Sequence, residues 1–482
     1  MTWKVVYDGK TPPPGEAVAP DERLSWGRTV GLGAQHVVAM FGATFVFPLI
    51  MGLNAQLAIM MSGIATICFL LIVQGKVPSY LGTSASFVGG VAAIRAQGGD
   101  SADVTGAILI AGIVLLLVGV LIQYAGSHVL HTVLPPAVTG AVVMLIGFNL
   151  APVVANIYWP QDQWIAFATM TFVILVAVGV RGFFGRIAIF LGLLFGYLLS
   201  WVTDLTFGKI TSFDASAQDI TTHDRINWGL PGGVKESDWI GFPPHTDNAA
   251  GVVGWHWPSF SITFTLLVLP AVIALIAENT GHVKAVAEMT KRDLDPVMGK
   301  AIAADGFGTA LASTFGGSPT TTYAENIGVM AATRVYSTAA YYVAAVVAIL
   351  FGLSPKFGAL VASTPGGVLG GITVVLYGMI GLLGAKIWKE NGVDFGNPLN
   401  LVPLAAGIVI AIGNTQLKIT DDFVLSGIAL GTLVVVVFYH LSRAIAPAHL
   451  REMDDRGTML AVGEPGMYEV DDDTGHNRND RT

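Results

Sequence analysis

Long apolar runs separated by short polar connections repeat along almost the whole chain. A helix needs about 20 such residues to cross the hydrocarbon layer of a bilayer. Hydropathy places runs of this kind near 30–50, 53–74, 79–95, 102–126, 133–151, 164–181 and 185–206. After a polar stretch, further runs fall near 259–286, 296–313, 320–332, 335–353, 366–385, 399–414 and 424–445. The pattern predicts an all-α polytopic membrane protein with 14 transmembrane segments, seven on each side of the polar stretch. An odd number of spans per half puts the halves in opposite orientations, so two inverted 7-span repeats are expected. A short internal echo agrees: Pro135-x-x-Val138-x-Gly140 opens the fifth run, and Pro365-x-x-Val368-x-Gly370 opens the twelfth. The expected division is an N-terminal segment at 1–29, a first repeat at 30–206, an exported loop at 207–258, a second repeat at 259–445 and a tail at 446–482.

Runs three and ten depart from the pattern. Each is short and broken near its start, by GTSAS at 82–86 and by GGSPTTT at 316–322. After Glu325 the apolar run lasts only about eight residues, too few to span a bilayer as a helix. A broken element at membrane depth must satisfy its backbone within protein or around a water-lined cavity. An extended segment that turns into a half-helix leaves free N–H groups and a positive dipole end at the break. Transporters build substrate sites from this arrangement.

Composition sharpens the class. The 482 residues are 53% hydrophobic and 12% charged, with a mean hydropathy of +0.64. A soluble domain carries about 25% charged residues. The net charge of −8 lies mostly in loops and the tail, and no basic patch interleaved with aromatics points to nucleic acid. A single cysteine, Cys68, excludes a disulfide framework or a cysteine metal centre. The polar, Pro-rich residues 1–25 do not read as a cleaved leader, so the first hydrophobic helix is expected to serve as its own insertion signal. With the N-terminus inside, nineteen of the 25 lysines and arginines fall on the inner side. Three of the other six (Lys209, Arg225 and Lys235) sit in the long loop, where they weigh least. Both termini are therefore expected in the cytoplasm. The acidic 207–258 loop reads either as a lid or as a loosely ordered connection, and the charged tail reads as disordered.

Charges inside apolar runs carry the candidate chemistry, because each costs about 2.5–3.5 kcal/mol even on a lenient scale. Glu278 ends a long apolar run, and His282 follows one turn later on the same helix face. Glu325 opens the tenth half-helix. Two carboxylates and a histidine converging on a helix break suit a proton-coupled site, since a carboxylate taken out of water can hold a proton near neutrality. The alternative for Glu278 is a charge snorkelling from the inner end of its span. Gln35 and His36, early in the first run, read equally as an interhelical hydrogen bond or a ligand contact. Tyr323 and Tyr377 read as rings stacked on a planar ligand or as packing residues. Asn326 reads as an amide bracing the break, Arg334 as an inner anchor or a gate, and Asp305 as a helix partner or part of a proton path. No HExxH, GxSxG or P-loop pattern accompanies the carboxylates, which argues against an enzyme.

These residues resemble a known family. Glu325-Asn326-x-Gly328-x-x-x-x-Thr333-Arg334 fits the [Q/E]-N-x-G-x-x-x-x-T-R signature of the nucleobase–ascorbate (NCS2) transporters. Gln35-His36 matches the family's QH pair, and Ala277-Glu278-Asn279-Thr280-Gly281-His282 resembles the eighth-helix motif of bacterial uracil permeases. APDERL at 19–24, QHVVAMFGAT at 35–44 and TTTYAENIGVMA at 320–331 look closest to uracil/pyrimidine permeases of the Rut type.

The resemblance implies a core domain of spans 1–4 and 8–11 moving against a gate domain of spans 5–7 and 12–14, in a bacterial inner membrane. It implies that Glu278 and Glu325 hold the N–H and carbonyl edge of a base, with His282 poised against Glu278. Main-chain N–H groups of Ala85 and Ala324 would donate to its oxygens, and Tyr323 and Tyr377 would line the pocket. Uracil alternates lactam donors and acceptors, the complement of carboxylates and free N–H groups. The expected activity is proton-coupled symport of uracil and related pyrimidines, with the proton as coupling ion, no cofactor, and a homodimer formed through the gate domain. Ala85 stands where characterised uracil permeases carry an aromatic, so a xanthine- or urate-type purine permease is the alternative. An anion carrier of the same architecture is disfavoured by two carboxylates at the break.

Overall fold

The computed structural model describes residues 3–453, apart from 14, 127–133, 216–218, 227, 229–232, 244–253 and 421–423. The expected disorder of the tail beyond residue 453 lies outside these residues; residues 448–453 are helical.

The first half contains α1 (Trp26–Met51), α2 (Ala55–Ile72), α3 (Ala85–Ala96), α4 (Ser101–Ala125), α5 (Pro136–Gln161), α6 (Gln163–Gly179) and α7 (Ala188–Phe207). The second contains α8 (Ile262–Thr290), α9 (Asp295–Thr314), α10 (Ala324–Thr333), α11 (Thr338–Gly352), α12 (Pro355–Ala362), α13 (Gly366–Glu390), α14 (Pro398–Ile412) and α15 (Gly427–Ile445). Among the described residues, eight helices combine the length and apolarity to cross a bilayer, and α11 and α12 form one further pair bent by 83°. The chain is thus a mostly helical, multi-span membrane protein. The eight-residue helix α12 was not expected from hydropathy.

Local signals explain many of the boundaries. Asn54 accepts from Leu57 N at the start of α2, and Asp100 and Asp103 form a reciprocal capping box on α4. Asp162, Ser261, Ser354 and Asn397 cap α6, α8, α12 and α14 in the same way. Between helices the contacts are backbone-close. A Cβ built on Gly112 of α4 would meet Ala310 N of α9 at 2.7 Å, and Gly119, Gly299 and Gly306 leave as little room along the same seam. Apolar side chains gain nothing by leaving lipid for one another, so small residues that admit close van der Waals contact set such seams. Gly140, Gly147, Gly381 and Gly384 do the same between α5 and α13.

Strands occupy the two breaks. β3 (Leu81–Thr83) and β6 (Thr320–Thr322) pair antiparallel, with Leu81 opposite Thr322 and Thr83 opposite Thr320, and Ser84 N donates to Pro319 O at 2.9 Å. The ribbon satisfies main-chain groups that no water reaches at that depth. α3 and α10 both start directly after their strands, which places their N-termini at the ribbon.

Two regions read as polar connections are ordered. In the connection between the two halves, β4 (Ile210–Asp214) and β5 (Asp219–His223) form a hairpin. Arg225 ties that loop to the helix ends by bonding Asp162 at 2.7 Å and Asp204 at 3.0 Å. In the N-terminal segment, β1 (Lys4–Val5) pairs with β2 (Glu22–Arg23). At the other end of the chain, β7 (Gln416–Lys418) and β8 (Val424–Ser426) make a hairpin before α15.

Candidate transport site at the crossed break

Thr320 anchors β6 to α9. Thr320 N donates to Thr309 Oγ1 of α9 at 3.0 Å, and Thr309 Oγ1 donates back to Thr320 O at 2.9 Å. Gly82 is required here: a Cβ would lie 2.6 Å from the Tyr323 ring. Through that gap the Tyr323 hydroxyl donates to Thr83 O at 2.6 Å, and Thr44 Oγ1 of α1 donates to the hydroxyl at 3.3 Å. Tyr323 is therefore a buried strut between the two broken elements.

Glu278 lies twelve residues before Thr290, the last residue of α8, or about 18 Å at the helical rise. It is half-buried in mid-helix, so snorkelling from the helix end does not describe it. His282, half-buried one turn further on, uses Nδ1 on Thr322 Oγ1 at 2.8 Å. Thr322 Oγ1 donates to Asn279 Oδ1 at 3.2 Å, and Asn279 Nδ2 donates to Asp305 Oδ2 at 2.6 Å. A polar chain thus runs from His282 through β6 to a carboxylate on α9 that has no exposure. Asp305 therefore has a structural partner in Asn279.

Asn326 is fully buried, and its Nδ2 donates to His36 O at 3.0 Å and His36 Nδ1 at 3.1 Å. The His36 ring lies 4.3 Å from that of Tyr341 on α11. These bonds make His36 an interhelical partner of α10, as one of the two readings of the Gln35–His36 pair expected; Gln35 itself is half-buried. Tyr377 of α13 is buried in the same apolar cluster as Tyr323, and its hydroxyl has no hydrogen-bond partner among the described residues.

The remaining candidates are at most partly buried. Glu325 is half-buried in the first turn of α10, next to the exposed Ala324, and Ala85 is half-buried where α3 begins. Nothing lies within 4 Å of a Cβ built on Gly281 or Gly328. Gly281, Lys284 and Glu288 form an exposed stripe on α8, and Ala324, Ala331 and Ala332 continue exposure along α10. Both stripes run toward the end of the molecule that carries the N-terminal segment. Sequence reasoning missed the role of Asn279, Thr44, Thr83 and Thr309, because a lone Thr or Asn in an apolar run does not reveal its partner.

A helical multi-span protein with two paired breaks, each leading into a short half-helix, has the architecture of a membrane transporter. The comparisons agree. The transmembrane domain of a cyanobacterial bicarbonate transporter, BicA, superposes with a TM-score of 0.52 at 14% identity, covering 86% of this chain and 96% of that one. The murine anion transporter Slc26a9 in its inward-facing state gives 0.62 at 12% identity, with 88% and 69% covered. At such identities the likeness is one of fold. A family model described as "Permease family" matches residues 27–420. The chain belongs to this xanthine/uracil-type permease family, the NCS2 family its motifs resemble. It is 41% identical over 427 residues to "Putative pyrimidine permease RutG" of Escherichia coli (strain K12), covering 87% of this chain and 90% of that one. It is 32% identical over 437 residues to the uracil permease of Bacillus caldolyticus, covering 86% and 92%.

Proposed function

We propose that this permease imports uracil and related pyrimidine bases together with protons. The carrying observation is that Glu278 and Glu325 sit half-buried beside the paired strands from which the two half-helices start. Carboxylates take up lactam N–H groups, and free main-chain N–H groups at Ala85 and Ala324 supply the complement for carbonyl oxygens. Relatives named as uracil and pyrimidine permeases, matched over most of their length, support the same base. In this reading Glu278, His282 and Glu325 carry the coupling proton, while Tyr377 borders the base. Tyr323 lines the pocket from beside the break, which Asn326, His36 and Gln35 support.

The finer architecture belongs to the same proposal. The helices form 14 spans in two inverted 7-span repeats, in which strand–helix units at β3–α3 and β6–α10 are the short spans three and ten. Spans 1–4 and 8–11 are the core, and spans 5–7 and 12–14 are the gate and the homodimer contact. The exported loop lies outside, and both termini face the cytoplasm of a bacterial inner membrane. The exposed stripes of α8 and α10 then run toward the inner face, where the N-terminal segment lies.

One observation favours a second substrate. Ala85 puts a methyl group at the start of α3, which leaves space for a larger base such as xanthine. Glu278→Ala and Glu325→Ala test the assignment. Each is expected to reduce uracil uptake by a factor of about 100 or more with normal protein in the membrane, the scale at which misplaced contacts lower turnover. Normal uptake in either variant contradicts it.

A further inference from the structure

The N-terminal segment does more than precede the first helix. Val18 is fully buried and lies in a parallel bridge with Val335, the second residue after α10. Val18 N donates to Arg334 O at 2.9 Å, and Tyr336 N donates to Val18 O at 2.9 Å. Thr338 donates to Pro20 O through both its N, at 3.0 Å, and its Oγ1, at 2.8 Å. Trp3 Nε1 adds a bond to the same Thr338 Oγ1 at 2.8 Å. Val18, Leu24 and Val335 form a small apolar cluster of their own. The grip falls on a residue with little freedom: Arg334 caps α10 in the left-handed region at φ +55°.

The same stretch of chain touches α10 and α8 elsewhere. It leads directly into α1, whose His36 receives Asn326 near the other end of α10. Its Asp21 bonds Arg292 at 2.8 Å, and Arg292 N caps α8 by donating to Ala287 O. Glu325 and Glu278 are thus carried on two helices whose far ends are joined by one segment.

We infer that residues 18–21 are a positioning clasp: they fix the relative depth of α8 and α10, and through it the spacing of Glu278 and Glu325. The inference rests on the proposed base site for its transport readout, but its geometric readout does not. The helices are stiff rods, so movement at a helix end is transmitted to the turns that carry these carboxylates. Loss of the clasp loosens the spacing of the groups that hold the base without removing any of them. The effect falls on KM more than on maximal rate, because the interactions that weaken are those that hold the base.

The test compares Val18→Pro, which removes the N–H that donates to Arg334, with Asp21→Asn and the charge swap Asp21→Arg/Arg292→Asp. Val18→Pro is expected to raise the KM for uracil by about five- to fiftyfold at a near-normal maximal rate, since sub-ångström to ångström misplacement has effects of this size. Asp21→Asn is expected to raise KM less, and the swap to restore it. Spin labels at Gly281→Cys and Gly328→Cys, in a Cys68→Ala background, report the α8–α10 distance with no substrate present. That distance is expected to shift or broaden in Val18→Pro and in Asp21→Asn, and to recover in the swap. An unchanged KM and an unchanged distance in both variants would overturn the clasp, as would a loss of protein yield alone. Absence of uracil uptake in the parent transporter would count against the base assignment, whereas the label distances would still judge the clasp.

Discussion

Asn326 and Gly82 show how single residues set this site. The Asn326 side chain sends both of its described hydrogen bonds from Nδ2 to His36, in a place without exposure. Asn326→Ala leaves the His36 acceptors unpaired in the interior, at a cost of about 1–3 kcal/mol. The expected outcome is a lower melting temperature in detergent, read by a thermal shift assay, with Asn326→Gln failing to restore it because its longer side chain cannot keep both bonds. Gly82→Ala places a methyl group against Thr44 and the Tyr323 ring. It is expected to abolish uptake while the protein still inserts, since the strut between the two breaks has no other position to occupy. Outside the membrane, the Arg292 guanidinium beside Asp21 holds that carboxyl below the usual carboxylate range. A depressed folded-state value means the pair lends stability above about pH 4 and loses it as the pH falls further. The clasp therefore keeps its charge state between about pH 5 and 8, and the pH profile of uptake in Asp21→Asn is expected to keep the parent's shape there. A changed shape would show that Asp21 titrates with transport.

At the scale of elements, packing by small residues separates two kinds of damage. Gly112→Val on α4 drives a side chain into the backbone of α9, where overpacking costs about 1–3 kcal/mol. Membrane yield and melting temperature are expected to fall while the KM of the surviving protein stays near the parent value. The helices themselves were legible in the sequence, because apolar length and capping residues such as Asn54, Asp100 and Asp162 are local signals. The breaks at 82–86 and 316–322 were legible too, from Gly, Ser and Thr clusters. That the breaks pair with each other was not, since three-residue strands have no periodicity and their register is fixed by partners far along the chain. The clasp was hidden for a related reason. Its bonds are main-chain bonds, and the polar, Pro-rich composition around Val18 reads as an ordinary connection. Asn326 was legible as a brace, but its partner was only half-read, since Gln35–His36 suited a ligand as well.

Over the whole molecule, the fold is shared with anion carriers and the motifs with nucleobase permeases, so the site must decide the cargo. An anion site at half-helix ends gains nothing from two carboxylates beside it, whereas a lactam edge does. The proposed topology is open to direct labelling. Single cysteines at Ser212 in the exported hairpin and at Lys389 near the end of α13 should react from opposite sides of the membrane. Reaction of both from one side would refute the inverted halves. The most direct measurement is uptake of radiolabelled uracil into proteoliposomes, with and without an inward proton gradient, challenged by thymine and by xanthine. The account predicts gradient-driven uracil uptake that thymine blocks and xanthine does not. No uracil uptake, uptake indifferent to the gradient, or xanthine winning the competition would contradict it.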